Sequence, residues 1–342
     1  CALPICIVKI LWLIINNLSV YGERLFVPVA LSSSLQYLEC KECFMDIYYV
    51  ERYNGTLQKE QIAGEKWLRW IYETRGGLGL LELIVKRKIF SQVYGCFQNT
   101  RASARKIEDF VHKLSINMDE AMVSDLKAYR SFNDFFTRRL KPEARPINPS
   151  QEVLISPADG KILAFADINP EQLFQVKHLT FSLDELLGSQ ALAQSYRGGV
   201  YLVIRLAPPD YHRFHFPDAG VPMASRPITG HYYSVSPLSL SRIAHVYCQN
   251  KRTLTKFNSD NFGTLLLLEV GATCVGSILQ TYIPDHRVTK GTEKGFFKFG
   301  GSTVIVLIQP GYLQVDEDIL ANTARGYETK VQMGEGIGRQ KI

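Results

Sequence analysis

Four short islands in the C-terminal half carry residues able to do chemistry. They are Ser156-Pro157-Ala158-Asp159-Gly160, the run Pro208-Pro209-Asp210-Tyr211-His212-Arg213-Phe214-His215-Phe216-Pro217, the glycine-rich 270–277, and 294–304, which contains Gly300-Gly301-Ser302-Thr303. A serine hydroxyl is a weak nucleophile until a base takes its proton, and the base works best when a carboxylate orients it. The chain supplies Asp159, His215 and Ser302 in that order, each beside a turn signal. Ser302 is not in a G-x-S-x-G elbow, which argues against an α/β-hydrolase. Two glycines precede it instead, and glycine adopts backbone angles closed to other residues. A strained peptide in front of a serine exposes its carbonyl to that serine's own hydroxyl, so the expected target is the chain itself, between Gly301 and Ser302. The same island holds a second histidine, His212. Its three-residue spacing from His215 puts the two on opposite faces of a regular strand. Both reach one site only through a turn or bulge, which Pro208, Pro209 and Pro217 favour. Separately, each island has a bland account: a turn, a loop-capping histidine, a bulge.

The elements that must position these residues are of two kinds. Residues 65–140 contain no proline and read as helices, punctuated by Gly76, Gly77 and Gly79. Three prolines at 142–149 mark an extended linker. Beyond it, short runs rich in Val, Ile, Leu and Tyr alternate with Gly/Pro/Asp turns at 151–165, 198–207, 227–235, 263–282 and 296–315, which predicts a β-rich core. Before the helices, 46–64 reads as a short hairpin with a two-residue turn at Asn54-Gly55. The expected fold class is therefore α+β. An N-terminal extension (1–44) lies outside the mature fold, a hairpin and helical region follows (45–145), and the catalytic core is a β-rich sandwich or barrel-like unit (146–342). Residues 2–15 are apolar except for Lys9, but the run is too short for the roughly 20 residues that span a bilayer; it reads as a signal-like or weakly anchoring segment, or as sequence foreign to the mature protein.

Composition narrows the function classes. The 342 residues are 46% hydrophobic and 21% charged, as in ordinary globular proteins, and a mean hydropathy of −0.05 is too low for a multi-span membrane protein. The net charge of +6 comes entirely from 65–145, which holds 16 Lys/Arg against 10 Asp/Glu. Such a segment suits an anionic partner. P-loop, G-x-G-x-x-G, nucleic-acid and metal-site motifs are absent, so a membrane surface is the expected partner rather than nucleic acid, with Lys86, Arg87, Lys88, Arg101, Arg105 and Lys106 as candidate contacts. Seven cysteines with one lone C-x-x-C (Cys40, Cys43) form neither a disulfide framework nor a zinc pattern.

From about Tyr48 to the C-terminus the sequence resembles the phosphatidylserine decarboxylases, pyruvoyl-dependent lyases, in a form closest to that of chlamydia-like bacteria. The likeness is carried by Ser131-Phe132-Asn133-Asp134-Phe135-Phe136 with Arg138, by Leu140-Lys141-Pro142 and Ala144-Arg145-Pro146, by the Pro-Ala-Asp-Gly turn, by Asp-Tyr-His-Arg-Phe-His, by Val-Gly-Ala-Thr-x-Val-Gly-Ser, and by Gly-Gly-Ser-Thr where the family often has Leu-Gly-Ser. The resemblance implies that His215 takes the Ser302 proton while Asp159 holds its tautomer. Ser302 then attacks the Gly301 carbonyl, and elimination from the ester frees the Gly301 carboxylate. Hydrolysis releases ammonia and leaves a pyruvoyl group on Ser302, with a β chain of 1–301 and an α chain of 302–342 that stay together. That covalent group replaces PLP and needs no metal. It forms a Schiff base with the amine of phosphatidylserine, carbon dioxide leaves, and phosphatidylethanolamine results, with His212 handling a proton in this second reaction. The implied place is the cytoplasmic face of a bacterial cell membrane, peripherally bound, or the mitochondrial inner membrane in a eukaryote. Two other readings use the same residues: a serine hydrolase acting on an external ester, and a non-catalytic lipid-binding β module.

Overall fold

The computed structural model describes residues 47–62, 65–81, 88–176, 179–272 and 277–341. The expectations for 1–44, for Cys40 and Cys43, for Lys86 and Arg87 and for 273–276 fall outside these.

The apolar, β-branched run Ser302–Ile308 forms a strand buried along its whole length. Such a run is unstable unless both faces are covered. It lies inside a sheet ordered Arg226–Ile228, Arg252–Ser259, Thr264–Val270, Ser302–Ile308, Val200–Leu206, Gly160–Ala166, Glu328–Val331, Tyr48–Glu51 and Leu57–Lys59, with Gly220–Pro222 also pairing with Arg252–Ser259. Every pairing along it is antiparallel except that of Tyr48–Glu51 with Glu328–Val331. Because side chains alternate across a strand, its two faces feed two cores. Ile305, Leu307, Tyr201, Val203 and Leu268 pack with Leu183, Leu186, Val246 and Tyr247 of short helices. Val304, Val306, Leu202, Ile204 and Leu267 pack with Phe214, Phe216 and Phe297. Those phenylalanines belong to or border a second, three-stranded sheet of Ile278–Gln280, Glu293–Phe297 and Arg213–His215. The core is thus β-rich and sheet-dominated, as expected.

Several elements differ from the sequence reading. The hairpin at 46–64 exists, but its turn is not two residues long. Glu51 N–H donates to the Thr56 carbonyl and Gly55 N–H to Glu51, leaving residues 52–55 as the connection. Asn54 accepts from the Thr56 N–H within it, and Gly55 sits at φ +67°. The run 227–235 yields a strand only over Arg226–Ile228. Arg252–Ser259 is an eight-residue strand that its polar sequence concealed. The proline-rich 142–149 is no free linker: Pro142–Ala144 makes a 3-10 turn, Arg145 is buried, and Asn148 N–H donates to the Gly334 carbonyl.

Among the described residues the proline-free stretch holds several helices, separated by 3-10 turns and loops. They include Glu65–Glu73, Lys88–Gln98, Ile107–Lys113 and Phe132–Phe136. Ser131 caps the last of these by accepting from Asp134 N–H, the usual way of satisfying a first-turn donor. Phe132, Phe135 and Phe136 build a third core with Ile107, Val111 and Tyr129, against which Phe299 packs. No helix among the described residues is long and apolar enough to cross a membrane.

Candidate active site

Ser302 opens its strand opposite Leu206, fully buried, and its Oγ has no hydrogen-bond partner. It shares a strand face with Val304 and Val306, the side toward Phe214 and Phe297. A buried hydroxyl normally finds a partner; Ser302 Oγ is left without one, as is Oγ1 of its neighbour Thr303. Just before it, Gly300 sits at φ +136°, a region that favours glycine.

The segment ahead of Ser302 is held by the phenylalanine core. Phe299 N–H donates to Asn133 Oδ1 at 2.9 Å. The Phe299 ring stands edge-on to Phe132 at 4.8 Å and to Phe136 at 5.0 Å. The Ser-Phe-Asn-Asp-Phe-Phe motif, which the sequence offered without a role, is therefore the anchor of Phe299-Gly300-Gly301.

His212 lies just outside the three-residue strand Arg213–His215, in the turn that Pro208 and Pro209 introduce. The ladder opposite that strand slips between Glu293 and Gly295. His212 is fully buried against the Phe136 ring, 4.0 Å between centroids. Its Nδ1–H donates to the Asp210 carbonyl at 2.8 Å, which leaves Nε2 as the bare lone pair. Burial pushes its pKa down to about 4; the Gly300 backbone lies close enough to favour its protonated form, without closing a regular hydrogen bond. His212 is thus a neutral base beside the glycines that precede Ser302.

His215 has the same internal arrangement. Its Nδ1–H donates to the Gly291 carbonyl at 2.9 Å, and Nε2 is buried without a partner. Burial lowers its pKa, with Gly291, Glu293 and Asp159 acting the other way. The Gly291 carbonyl, not Asp159, therefore fixes the His215 tautomer. Asp159 is instead clamped by Arg145, whose Nε reaches Oδ1 at 2.8 Å and whose Nη2 reaches Oδ2 at 2.6 Å, and it accepts from Met333 N–H at 2.9 Å. Burial pushes its carboxyl up while Arg145 pulls it down, and the same pairing raises the Arg145 guanidinium, so the two stand as a buried ion pair. Glu120 completes the cluster on Arg145 Nη1 at 2.8 Å.

The structure thus gives Ser302 Oγ no hydrogen bond to either histidine, brings Gly300 to His212, and leaves Asp159 within electrostatic reach of His215. Apo hydrogen bonds at catalytic centres are often open in this way. Sequence reasoning missed Arg145, Asn133 and Gly291. The first two lay in quoted motifs; a backbone carbonyl carries no residue-type signal. Among the described residues no group of His, Cys, Asp and Glu is placed to hold a metal ion.

Comparison with known proteins gives a consistent result. The phosphatidylserine decarboxylase family model matches residues 132–339. A Clostridium botulinum (strain Alaska E43 / Type E3) protein is 49% identical over 283 residues, covering 82% of this chain and 95% of its own length. A Clostridium beijerinckii protein is 48% identical over 297 residues, covering 86% of this chain and all of its own. A Ruminiclostridium cellulolyticum protein is 50% identical over 280 residues, 82% of this chain and 93% of its own. All three are named phosphatidylserine decarboxylase proenzyme, so the likeness reaches beyond the chlamydia-like form the motifs suggested. The orphan serine behind two glycines and these likenesses define a class, the pyruvoyl-dependent carboxy-lyases made as proenzymes. The chain belongs to the phosphatidylserine decarboxylase family.

Proposed function

We propose that Ser302 attacks the Gly301 carbonyl, that His215 accepts its proton with Asp159 stabilising the charge, and that the chain parts between Gly301 and Ser302. The observation that carries this is the buried, unpartnered Ser302 Oγ behind Gly300 at φ +136°. The ester formed then eliminates: a base takes the Ser302 Cα proton, the Cβ–Oγ bond breaks with Oγ leaving as part of the Gly301 carboxylate, and the resulting dehydroalanine, through its imine tautomer, is hydrolysed by water to the ketone with release of ammonia. The pyruvoyl group supplies an electron sink for decarboxylation. The surrounding residues fit it, because an enclosed apolar wall of Phe214 and Phe297 excludes water while His212 Nε2 offers a bare lone pair. In the second reaction His212 holds the proton that carbon receives.

The place of Gly300 beside His212 favours a second assignment, in which His212 rather than His215 takes the Ser302 proton. Substituting each histidine separates the two. His215→Ala should leave a single band on a denaturing gel, whereas His212→Ala should cleave at least partly and release little labelled carbon dioxide from phosphatidylserine. The reverse pattern transfers the base to His212. Two chains from Ser302→Ala would remove the cleavage site and the pyruvoyl reading together.

Docking falls to the 45–145 region and chemistry to 146–342. The two-chain lipid substrate stays in a bilayer, so the protein works as a peripheral protein on the cytoplasmic face of a bacterial membrane. Arg101, Arg105 and Lys106 are exposed, as are Met122 and Val123, in support of a basic and apolar contact surface.

A further inference from the structure

Arg138 is buried, 6% exposed, and only one of its three guanidinium nitrogens is satisfied: Nη2 donates to the Pro209 carbonyl at 3.1 Å, while Nε and Nη1 have no partner. Its guanidinium lies 5.1 Å over the Phe135 ring. The charged or ionisable groups around it are Tyr129, Asp159, Asp210, Arg145 and His212, and none of them closes a hydrogen bond with it. A buried cation left this way is costly. Nothing in the self-cleavage steps uses it.

Arg138 ends the segment that grips Phe299. Phe136 and Phe132 pack on that ring, and Asn133 holds its N–H. The Pro209 carbonyl that Arg138 holds starts the turn carrying His212, beside which Gly300 lies. Self-cleavage creates a new anion two residues beyond Phe299, and two residues reach at most about 7 Å. Gly300 and Gly301 have no side chains to impede a swing within that radius.

We propose that Arg138 is the receptor for the carboxylate released at Gly301, drawing the new β-chain terminus away from residue 302 and so clearing the site for the lipid amine. A carboxylate from the substrate is the same chemistry from another source. It is the poorer occupant, because that group must leave as carbon dioxide, and a guanidinium stabilises its charge most before the bond breaks. This inference rests on cleavage between Gly301 and Ser302.

The test is an intact mass spectrum of the β chain before and after carboxypeptidase digestion of the folded, processed protein. The undigested mass gives the cleavage position by itself. A β chain not ending at Gly301 overturns the cleavage assignment; one ending there but trimmed in the wild type overturns the Arg138 assignment alone. The expected result is a wild-type terminus that resists digestion. Arg138→Gln should lose Gly301 and Gly300 at least tenfold faster, and Arg138→Lys, which keeps the charge, should retain most of the protection. If Arg138→Gln does not process, the wild-type result still decides. A terminus equally protected in Arg138→Gln, with a raised KM for phosphatidylserine vesicles, would assign the guanidinium to the substrate and overturn the proposal.

Discussion

In the proposed mechanism Ser302 takes part in two reactions in succession, first as nucleophile and then as the residue that becomes the prosthetic group, so its substitutions divide them. Ser302→Ala should give one 342-residue chain and no decarboxylation. Ser302→Cys keeps a nucleophile and a β leaving group and should cleave slowly. Ser302→Thr should cleave but yield a bulkier keto acid and a crippled enzyme. Each is read on a gel beside carbon dioxide release. The histidines add a pH dependence. His212 sits at about 4 when folded, against an ordinary value near 6.5. The unfolded chain therefore binds more protons between those values, and stability is lost as pH falls from about 6.5 toward 4. The slope approaches about 1.4 kcal/mol per pH unit for that one group. Thermal melts of the Ser302→Ala precursor should decline through this window, and less steeply once His212→Asn is added; identical slopes would show that His212 binds protons equally in the folded and unfolded states.

At the scale of elements, the hairpin Tyr48–Lys59 is joined to the rest by charge as well as by strands. Glu60 is buried with Arg205 and Lys161; Arg205 Nη2 reaches Glu60 Oε2 at 2.6 Å, and Arg205 Nε reaches Glu328 at 2.9 Å. Burial works against the Glu60 carboxylate, but Arg205 and Lys161 outweigh it and hold its pKa near 2. Removing one member of such a network leaves a buried charge unmatched and costs about 3–5 kcal/mol. Glu60→Gln should lower the denaturant midpoint of the precursor accordingly. On the proposed cleavage Glu328 belongs to the α chain; its strand lies between Gly160–Ala166 and Tyr48–Glu51, while Ser302–Ile308 is flanked by Thr264–Val270 and Val200–Leu206. The two chains should therefore elute together on a sizing column without denaturant and separate only in it. The apolar runs at 198–207 and 296–315 were legible because strands buried on both faces are apolar throughout. Arg252–Ser259 was not, because Arg252, Thr253 and Thr255 are buried polar side chains and several of their partners are remote in sequence: Arg252 donates to the carbonyls of Leu186 and Glu185 besides the nearby Cys248 and Asn250, and Thr253 to Glu269. Asp159, His215 and Ser302 could be picked out by type and by turn. Which group faces which could not, because Arg145 and Gly291 come to them from distant loops.

For the molecule as a whole, association with lipid is the property that fold and charge together predict. Replacing Arg101, Arg105 and Lys106 by Glu should reduce sedimentation with phosphatidylserine vesicles at low salt and leave self-cleavage intact. Added salt should weaken wild-type binding, as the screening length falls from about 30 Å at 0.01 M to about 8 Å at 0.15 M. Unchanged sedimentation would make 65–145 a structural support alone. A chain beginning at Met45 should still cleave and decarboxylate, since Tyr48 begins the first described strand; a soluble but inert product would count against this.

The position of the Ser302–Ile308 strand also sets a timetable. While the chain is being made, the sheet has an open slot between Thr264–Val270 and Val200–Leu206, and Tyr48–Glu51 has no neighbour to pair with in parallel until Glu328–Val331 arrives. The clamp of Met333 N–H on Asp159 is missing until the chain has passed that strand. A nascent chain stalled shortly after Thr303 would hold every residue of the proposed triad and remain uncut. On the proposed mechanism, completion of the last strands is thus the trigger, and the backbone should part only once the segment that keeps the two pieces together is in place.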